Sequence, residues 1–226
     1  PIFTQLLLAD EINRSPAKTH AALLEVMQEY SVTIDRATYA VKRPFLVLAT
    51  QNPIESEGTY NLPEAQLDRF LFKLQIDYPG EPEELEILSM HGRGTDLTAR
   101  LNAEVEQVTT PAEILAAQAY CDSVRVHPSV LAYVNRVVRA TRSWPNFYLG
   151  ASPRAGIALL RGGRAHAAFH GRDFVVPDDV AAFVLPALRH RVILLPEAEV
   201  EGRTIDSELR ELVKTIDVPR MEEDPS

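Results

Sequence analysis

The sequence predicts an α/β domain built on a parallel sheet, followed by a small all-helical domain. Two apolar runs, Leu6 to Ala9 and Phe45 to Ala49, are separated by segments with helical spacing. Buried strands that alternate with helices are typical of a parallel sheet. Nearly every segment after Pro79 has helical periodicity instead. Proline and glycine cluster in residues 77–84, and we place the domain boundary there.

Composition excludes several classes of protein. The 226 residues carry a net charge of −9, which argues against a broad basic surface for non-specific binding of nucleic acid. The single cysteine excludes an intrachain disulfide and fits a reducing compartment. No apolar run approaches the roughly 20 residues needed to cross a bilayer, and no signal peptide is evident. We therefore expect a cytoplasmic protein with no membrane segment.

The first domain, residues 1–79, is predicted to contain three strands. Leu6 to Ala9 and Phe45 to Ala49 are expected to be fully buried, and alternation predicts a third strand from Phe70 to Ile76. Ser15 is expected to cap a helix that has Pro16 in its first position. A hairpin is predicted from Ser31 to Val41, and a short helix over residues 62–67.

Helix start signals recur in the second domain, residues 80–221. Thr110-Pro111 with Glu113 forms a capping box, and Ser152-Pro153 is a second start signal. His127-Pro128 and Pro177-Asp178 are predicted to open two more helices. Apart from a strand predicted at residues 191–195, this domain is predicted to be a helical bundle, and residues 222–226 are predicted to be a disordered tail.

Two adjacent acids, Asp10 and Glu11, end the first strand. Ligands of parallel sheets bind at the carboxyl ends of the strands. An Asp there can hold Mg²⁺, and a neighbouring Glu can activate a water for attack on phosphorus. The alternative is that both are solvated charges at the start of a loop.

The second strand also ends in polar residues, Thr50, Gln51 and Asn52. An amide beside a metal-binding carboxylate can donate to a phosphate oxygen or orient the attacking water. The alternative is that Asn52-Pro53 simply forms a turn.

Arg69 precedes the predicted third strand. If the three strands are parallel, Arg69 lies at the opposite edge of the sheet from Asp10, where it could reach the site of a neighbouring subunit. An arginine supplied in trans is a known device of nucleotide hydrolysis. The alternative is a salt bridge from Arg69 to Asp68 or Glu64.

Arg154 lies in the first turn of the helix that Ser152 caps. A cation at a helix N-terminus opposes the helix dipole, so a bound phosphate would offset its cost. The alternative is an ordinary surface arginine.

Four segments together resemble the MoxR family of AAA+ ATPases: LLLADEINR, ALLEVMQE, LATQNPIESEGTYNLPEAQLDRF and GASPRA. The resemblance implies the AAA+ P-loop NTPase core, with the chain starting inside it, followed by a helical lid. By the same resemblance Asp10 is the Walker B acid for Mg²⁺ and Glu11 the catalytic glutamate. Asn52 is similar to sensor 1, Arg69 to the arginine finger and Arg154 to sensor 2. The family further implies ATP and Mg²⁺ as ligands.

One motif of the family is missing from these 226 residues. The phosphate-binding loop, G-x-x-x-x-G-K-[ST], occurs nowhere in the sequence. The chain opens at Pro1, almost directly on a strand, and we interpret it as part of a longer protein. Alone, it is expected neither to bind ATP tightly nor to hydrolyse it at a useful rate.

The resemblance implies a homo-oligomeric ring, hexameric in this family, that remodels a client protein. Such proteins often act with a partner that carries a von Willebrand factor A domain. Two alternatives stay open from the sequence. One is a helicase-like or chelatase-like motor of the same clade, and the other is a degenerate ATPase retained for assembly.

Overall fold

The computed structural model describes residues 2–52, 62–92 and 96–219. Its strands are β1 (Leu6–Ala9), β2 (Ser31–Ile34), β3 (Ala37–Ala40), β4 (Leu46–Ala49), β5 (Phe147–Leu149) and β6 (Ile193–Leu194). Its longer helices are α1 (Ala17–Glu29), α3 (Glu81–Gly92), α4 (Leu97–Glu104), α5 (Pro111–Ser123), α6 (Pro128–Ala140), α7 (Pro153–Phe169) and α11 (Ile205–Lys214). Its short helices are α2 (Glu64–Leu67), α8 (Pro177–Ala181), α9 (Val184–Leu188) and α10 (Pro196–Val200), with a 3₁₀ turn at Ile12–Arg14.

Strands β1 and β4 form the predicted parallel pair, with Leu6 opposite Leu46 and Ala9 opposite Ala49. One face of the pair packs on a cluster formed by Ile12, Leu23, Val26, Val41 and Leu62. The other face is bare, since its four leucines (Leu6, Leu8, Leu46 and Leu48) are between 48% and 62% exposed. The prediction that both strands are fully buried is therefore wrong, because the described residues cover only one face of the pair.

The predicted hairpin is confirmed, and it shows why its turn is tight. β2 and β3 pair antiparallel from Ser31 opposite Ala40 to Ile34 opposite Ala37. The two turn residues, Asp35 and Arg36, have φ values of 48° and 69°. This left-handed conformation at both central positions gives a two-residue turn whose twist matches that of the strands.

The helical part has a core of its own, which draws residues from Val124 to Leu212. Its predicted starts are confirmed: Thr110 and Glu113 form a reciprocal capping box on α5, and Ser152 caps α7. α6 and α8 begin at Pro128 and Pro177, as predicted. The predicted strand at residues 191–195 is present as β6, which pairs antiparallel with β5, a strand that the sequence did not reveal.

The predicted third strand is absent from the described chain, since residues 72–80 form no strand and no helix there. The backbone there bonds to the helical part instead, and Lys73 N–H donates to Pro186 O at 2.8 Å. Phe72 stacks on Phe183 with ring centroids 5.2 Å apart. Gly162 allows the Phe183 ring this position, because a Cβ on Gly162 would lie 2.6 Å from the ring.

One smaller expectation also changes. α1 begins at Ala17 with Pro16 in the N-cap position and no side-chain cap bond, so Ser15 does not cap it. No helix within the described residues is long and apolar enough to cross a membrane. Residues 222–226, the predicted tail, lie outside the described residues. The boundary at residue 79 stays a prediction.

Candidate functional site

The carboxyl ends of β1 and β4 bring three predicted site residues, Asp10, Glu11 and Asn52, to one edge of the sheet. Together with Thr50, they form what we call the sheet rim. Because β1 and β4 are parallel and in register, Asp10 and Thr50 are neighbours, each one residue past its strand. Thr50 Oγ1 donates to Asp10 Oδ1 at 2.5 Å and accepts from Glu11 N–H at 2.8 Å. Asn52 follows two residues later and is half-buried.

Glu11 has an unusual backbone conformation, with φ 46° and ψ 51°. Non-glycine residues rarely adopt this left-handed conformation, and it persists where surrounding bonds hold it. Those bonds come from Thr50, whose hydroxyl accepts from Glu11 N–H and whose carbonyl accepts from Ile12 N–H at 3.0 Å. The two strand ends are thus locked together at Glu11.

The Glu11 side chain is exposed and its Oε2 lies 3.0 Å from Arg14 Nε. The exposed fractions of the two side chains are 38% and 49%, and an ion pair this exposed contributes little to stability. A small change in free energy is therefore enough to release the carboxylate for another partner.

Two buried polar residues lie directly behind the rim, and the sequence analysis did not single out either. His20 Nε2 and the Ile12 carbonyl oxygen are 2.7 Å apart, which ties α1 to the 3₁₀ turn. Asn13 is 7% exposed, and its Oδ1 accepts no hydrogen bond from the described residues. The contact with His20 therefore holds the segment that follows the two acids against α1.

The rim fits a magnesium ion that keeps most of its water ligands. The described residues contain no cluster of three or more His, Cys, Asp or Glu side chains suited to a metal. Mg²⁺ in nucleotide sites usually binds through one or two carboxylates and the substrate phosphates, so one exposed Asp beside a hydroxyl is a suitable ligand set. Asp10 provides that carboxylate.

Arg69 is exposed and lies in the turn that ends α2. The predicted alternative, a salt bridge to Asp68 or Glu64, is not formed: Asp68 pairs with Arg191, with Nε 2.9 Å from Oδ1. Within residues 2–52, 62–92 and 96–219, no side chain bonds the Arg69 guanidinium. The described residues do not place Arg69 at the opposite sheet edge, because the third strand that would carry it there is not formed.

Asp68, Ser152 and Arg191 form a partly buried cluster that we call the junction, because it joins the end of α2 to the helical part. Ser152 Oγ lies 2.9 Å and 2.8 Å from the two carboxylate oxygens of Asp68. Arg191 is 7% exposed and also donates to the carbonyls of Asp68 and Leu71, at 3.0 and 3.1 Å. No local pattern in the sequence indicates this cluster, since Asp68 and Arg191 are 123 residues apart.

Burial sets the protonation behaviour of the junction. Burial lowers the pKa of Arg191, and the hydrogen bond to Asp68 opposes this shift. The neighbouring His190 Nε2 lies 3.1 Å from the Phe70 carbonyl oxygen. Burial, followed by the charge of Arg191, lowers the pKa of His190 to about 4. At neutral pH, His190 is therefore an uncharged donor to Phe70.

Arg154 lies close to the junction. Its backbone N–H donates to Ser152 Oγ at 3.1 Å, and its charge contributes to lowering the pKa of Arg191. Its side chain is exposed and has no partner within the described part of the chain. The structure thus places the five predicted residues in two groups: Asp10, Glu11 and Asn52 at the rim, and Arg69 and Arg154 at the junction.

Comparison with known proteins assigns the family. Residues 1–72 match the model of AAA_3, an ATPase family associated with various cellular activities, and residues 139–212 match an AAA lid domain. The chain is 45% identical over 222 residues to the uncharacterized protein YeaC of Bacillus subtilis, covering 97% of this chain and 67% of that one. It is 40% identical over 232 residues to the chaperone MoxR1 of Mycobacterium tuberculosis, covering 98% and 59%.

A solved structure agrees with this assignment. The crystal structure of a putative ATPase from Cytophaga hutchinsonii has a TM-score of 0.88 and 38% sequence identity, and the match covers 97% of this chain and 68% of that one. The present chain therefore spans about three fifths to two thirds of the length of these relatives. The parallel sheet, the helical lid and these matches agree with one another: the chain belongs to the MoxR family of AAA+ ATPases.

Proposed function

We propose that the full-length protein containing this chain binds and hydrolyses ATP in a homo-oligomeric ring, and uses the energy to remodel or mature partner proteins. Membership of an ATPase family and the printed name of the Mycobacterium relative, a chaperone, support this proposal. The family resemblance predicts a hexamer in the cytoplasm and a partner with a von Willebrand factor A domain.

The observation that carries the proposal is the sheet rim. Two exposed carboxylates follow β1, and Thr50 at the end of β4 fixes both through the Asp10 side chain and the Glu11 backbone. A ligand at the carboxyl edge of a parallel sheet meets these groups first. Phosphoryl transfer depends mainly on positioning and on electrostatic stabilisation, so exposed carboxylates on a backbone held by hydrogen bonds suit the reaction.

Each rim residue has a distinct role in this proposal. Asp10 holds Mg²⁺, which when bound neutralises charge on the phosphate oxygens. Glu11 leaves Arg14, orients the attacking water and accepts its proton. The water oxygen bonds to the γ-phosphorus as the bond from that phosphorus to the β,γ-bridging oxygen breaks, and ADP leaves with that oxygen. Asn52 donates its side-chain amide to a phosphate oxygen or to that water.

The two exposed arginines supply positive charge. Arg154 contacts the nucleotide of its own subunit and Arg69 enters the site of the neighbouring subunit, as the family resemblance predicts. Both side chains lack a partner in the described chain. Each is therefore available to an anion, and an arginine in this role typically raises turnover by about 10³-fold or more.

The first test replaces the proposed general base. In the full-length protein, Glu11→Gln is expected to lower ATP turnover by about 10²-fold or more, since the amide cannot accept the proton. Nucleotide affinity, measured by titration with a fluorescent ATP analogue, is expected to change less than threefold. Glu29→Gln, at an exposed acid in the last turn of α1, is the matched control. Wild-type turnover by Glu11→Gln would refute the proposal.

A further inference from the structure

The junction fixes the backbone that carries Arg69. Arg191 donates to the carbonyls of three residues of this segment, Asp68, Phe70 and Leu71. Arg191 also donates to the carbonyl oxygen of Ala187, four residues earlier in the chain. All three guanidinium nitrogens of Arg191 are engaged, so the segment on either side of Arg69 cannot shift without breaking buried hydrogen bonds.

The same cluster fixes the helix that carries Arg154. Ser152 is the N-cap of α7, and its hydroxyl oxygen accepts from Arg154 N–H while bonding the Asp68 carboxylate. Asp68 Oδ1 therefore contacts both Arg191 Nε and Ser152 Oγ, each at 2.9 Å. One carboxylate connects the segment of Arg69 with the first turn of α7.

We propose that Asp68 is a positioning residue that couples Arg69 to α7, so that Arg69 and Arg154 move as one rigid unit. This inference rests on the proposed function. In the proposed ring, a change of nucleotide that moves Arg154 then also moves Arg69 relative to the neighbouring site. Asp68 itself touches no nucleotide, and its effect on turnover passes through Arg69.

A mutant cycle in the full-length protein tests the coupling. Asp68→Asn keeps the shape of the side chain but removes the negative charge that pairs with Arg191 and one of the two acceptor oxygens, so its bonds to Arg191 and Ser152 are weakened. We expect turnover to fall by about tenfold while the KM for ATP changes less than threefold. In an Arg69→Ala background, the same substitution is expected to have no further effect on turnover, because its only route is already removed.

The matched control is Asp206→Asn. Asp206 pairs with Arg189, and its side chain is 19% exposed, the same fraction as that of Asp68. Its carboxylate bonds no part of the Arg69 segment among the described contacts. It is expected to lower the melting temperature as Asp68→Asn does while leaving turnover unchanged.

If Asp68→Asn does not fold, Ser152→Ala removes one of the two partners of Asp68, with Thr110→Ala as the control for the loss of a helix cap. The same cycle with Arg69→Ala applies. If Arg69→Ala lowers turnover but Asp68→Asn leaves it at the wild-type value, the positioning role of Asp68 is overturned and the proposed role of Arg69 stands. If Asp68→Asn lowers turnover by the same factor in the wild-type and Arg69→Ala backgrounds, the positioning role is also overturned, because the effect does not then pass through Arg69. Wild-type turnover in Arg69→Ala would overturn the proposed role of Arg69 and this coupling with it.

Discussion

The sheet rim and the junction treat their charged groups in opposite ways. At the rim, the Glu11 carboxylate is 38% exposed in its pair with Arg14. At the junction, Arg191 is 7% exposed and donates from every nitrogen. Exposed pairs exchange partners at little cost, whereas buried charges are expensive to separate. The comparison teaches that the carboxylate proposed as the general base is loosely held, while the groups that position the two arginines are fixed.

If this contrast holds, replacing a buried acid should lower the free energy of unfolding by about as much as replacing a large core residue does. Glu208 is 1% exposed and accepts from Trp144 Nε1, Asn146 Nδ2 and Arg203 Nη1, at 2.6, 2.9 and 2.8 Å. Glu208→Ala is expected to lower the free energy of unfolding by about 4 kcal/mol, because three donors lose one acceptor.

Chemical denaturation followed by circular dichroism measures this change. Glu211→Ala is the control, since Glu211 is an exposed acid on the same helix and should change the free energy of unfolding by less than about 0.5 kcal/mol. Similar losses for the two variants would contradict the contrast between buried and exposed acids.

A pH titration sharpens the contrast at the junction. The pKa of His190 falls from 6.5 to about 4 in the folded chain, so between these values the unfolded chain binds the proton and the folded chain does not. Stability is therefore lost as the pH falls from 6.5 to 4, by about 3 kcal/mol from this residue.

Comparing wild type with His190→Gln over this pH range isolates the contribution, since every other group titrates in both. The variant is expected to lose less stability than wild type on acidification. His91→Gln, at an exposed histidine in the last turn of α3, should retain the wild-type slope. Parallel pH profiles for wild type and His190→Gln would show that His190 is not held neutral.

The smallest effect on stability is expected at the rim. Thr50→Val removes the hydroxyl that bonds Asp10 and Glu11 but keeps the shape of the side chain and both backbone bonds. Because Thr50 is exposed, the free energy of unfolding should fall by only about 1 kcal/mol. ATP turnover in the full-length protein should fall by about tenfold, and Thr50→Ser should restore it. A large loss of stability with unchanged turnover would contradict the contrast between the rim and the junction.

Local signals predicted much of the fold. The capping box at Thr110 and the cap at Ser152 depend on residues within three positions of each other, so they can be recognised from sequence. The parallel pair followed from two apolar runs with polar ends. The two apolar runs do not reveal that only one face of the pair is covered, since the burial of a strand depends on what packs against it.

Long-range contacts explain the main failure. Phe70 to Ile76 alternates as a strand does, but the segment bonds to Pro186 and Arg191, more than 110 residues away. No periodicity encodes such contacts. For the same reason the sequence suggests Asp68 only as a partner for Arg69, and no local pattern indicates its bonds to Ser152 and Arg191. The positions of Asp10, Glu11 and Asn52 at the rim are easier to predict, since each lies within three residues of the end of a recognisable strand.

The stacking of Phe72 on Phe183 has a practical consequence for dissecting the protein into fragments. Composition suggests cutting the chain near residue 79, but a lid fragment that starts there loses the Phe72 ring over Phe183. It also loses the Asp68, Phe70 and Leu71 acceptors, which leaves most Arg191 donors buried without partners. A fragment that starts at Leu62 retains all of these contacts. We therefore expect a fragment of the helical part to fold and to be expressed better when it begins at Leu62 than when it begins near residue 79.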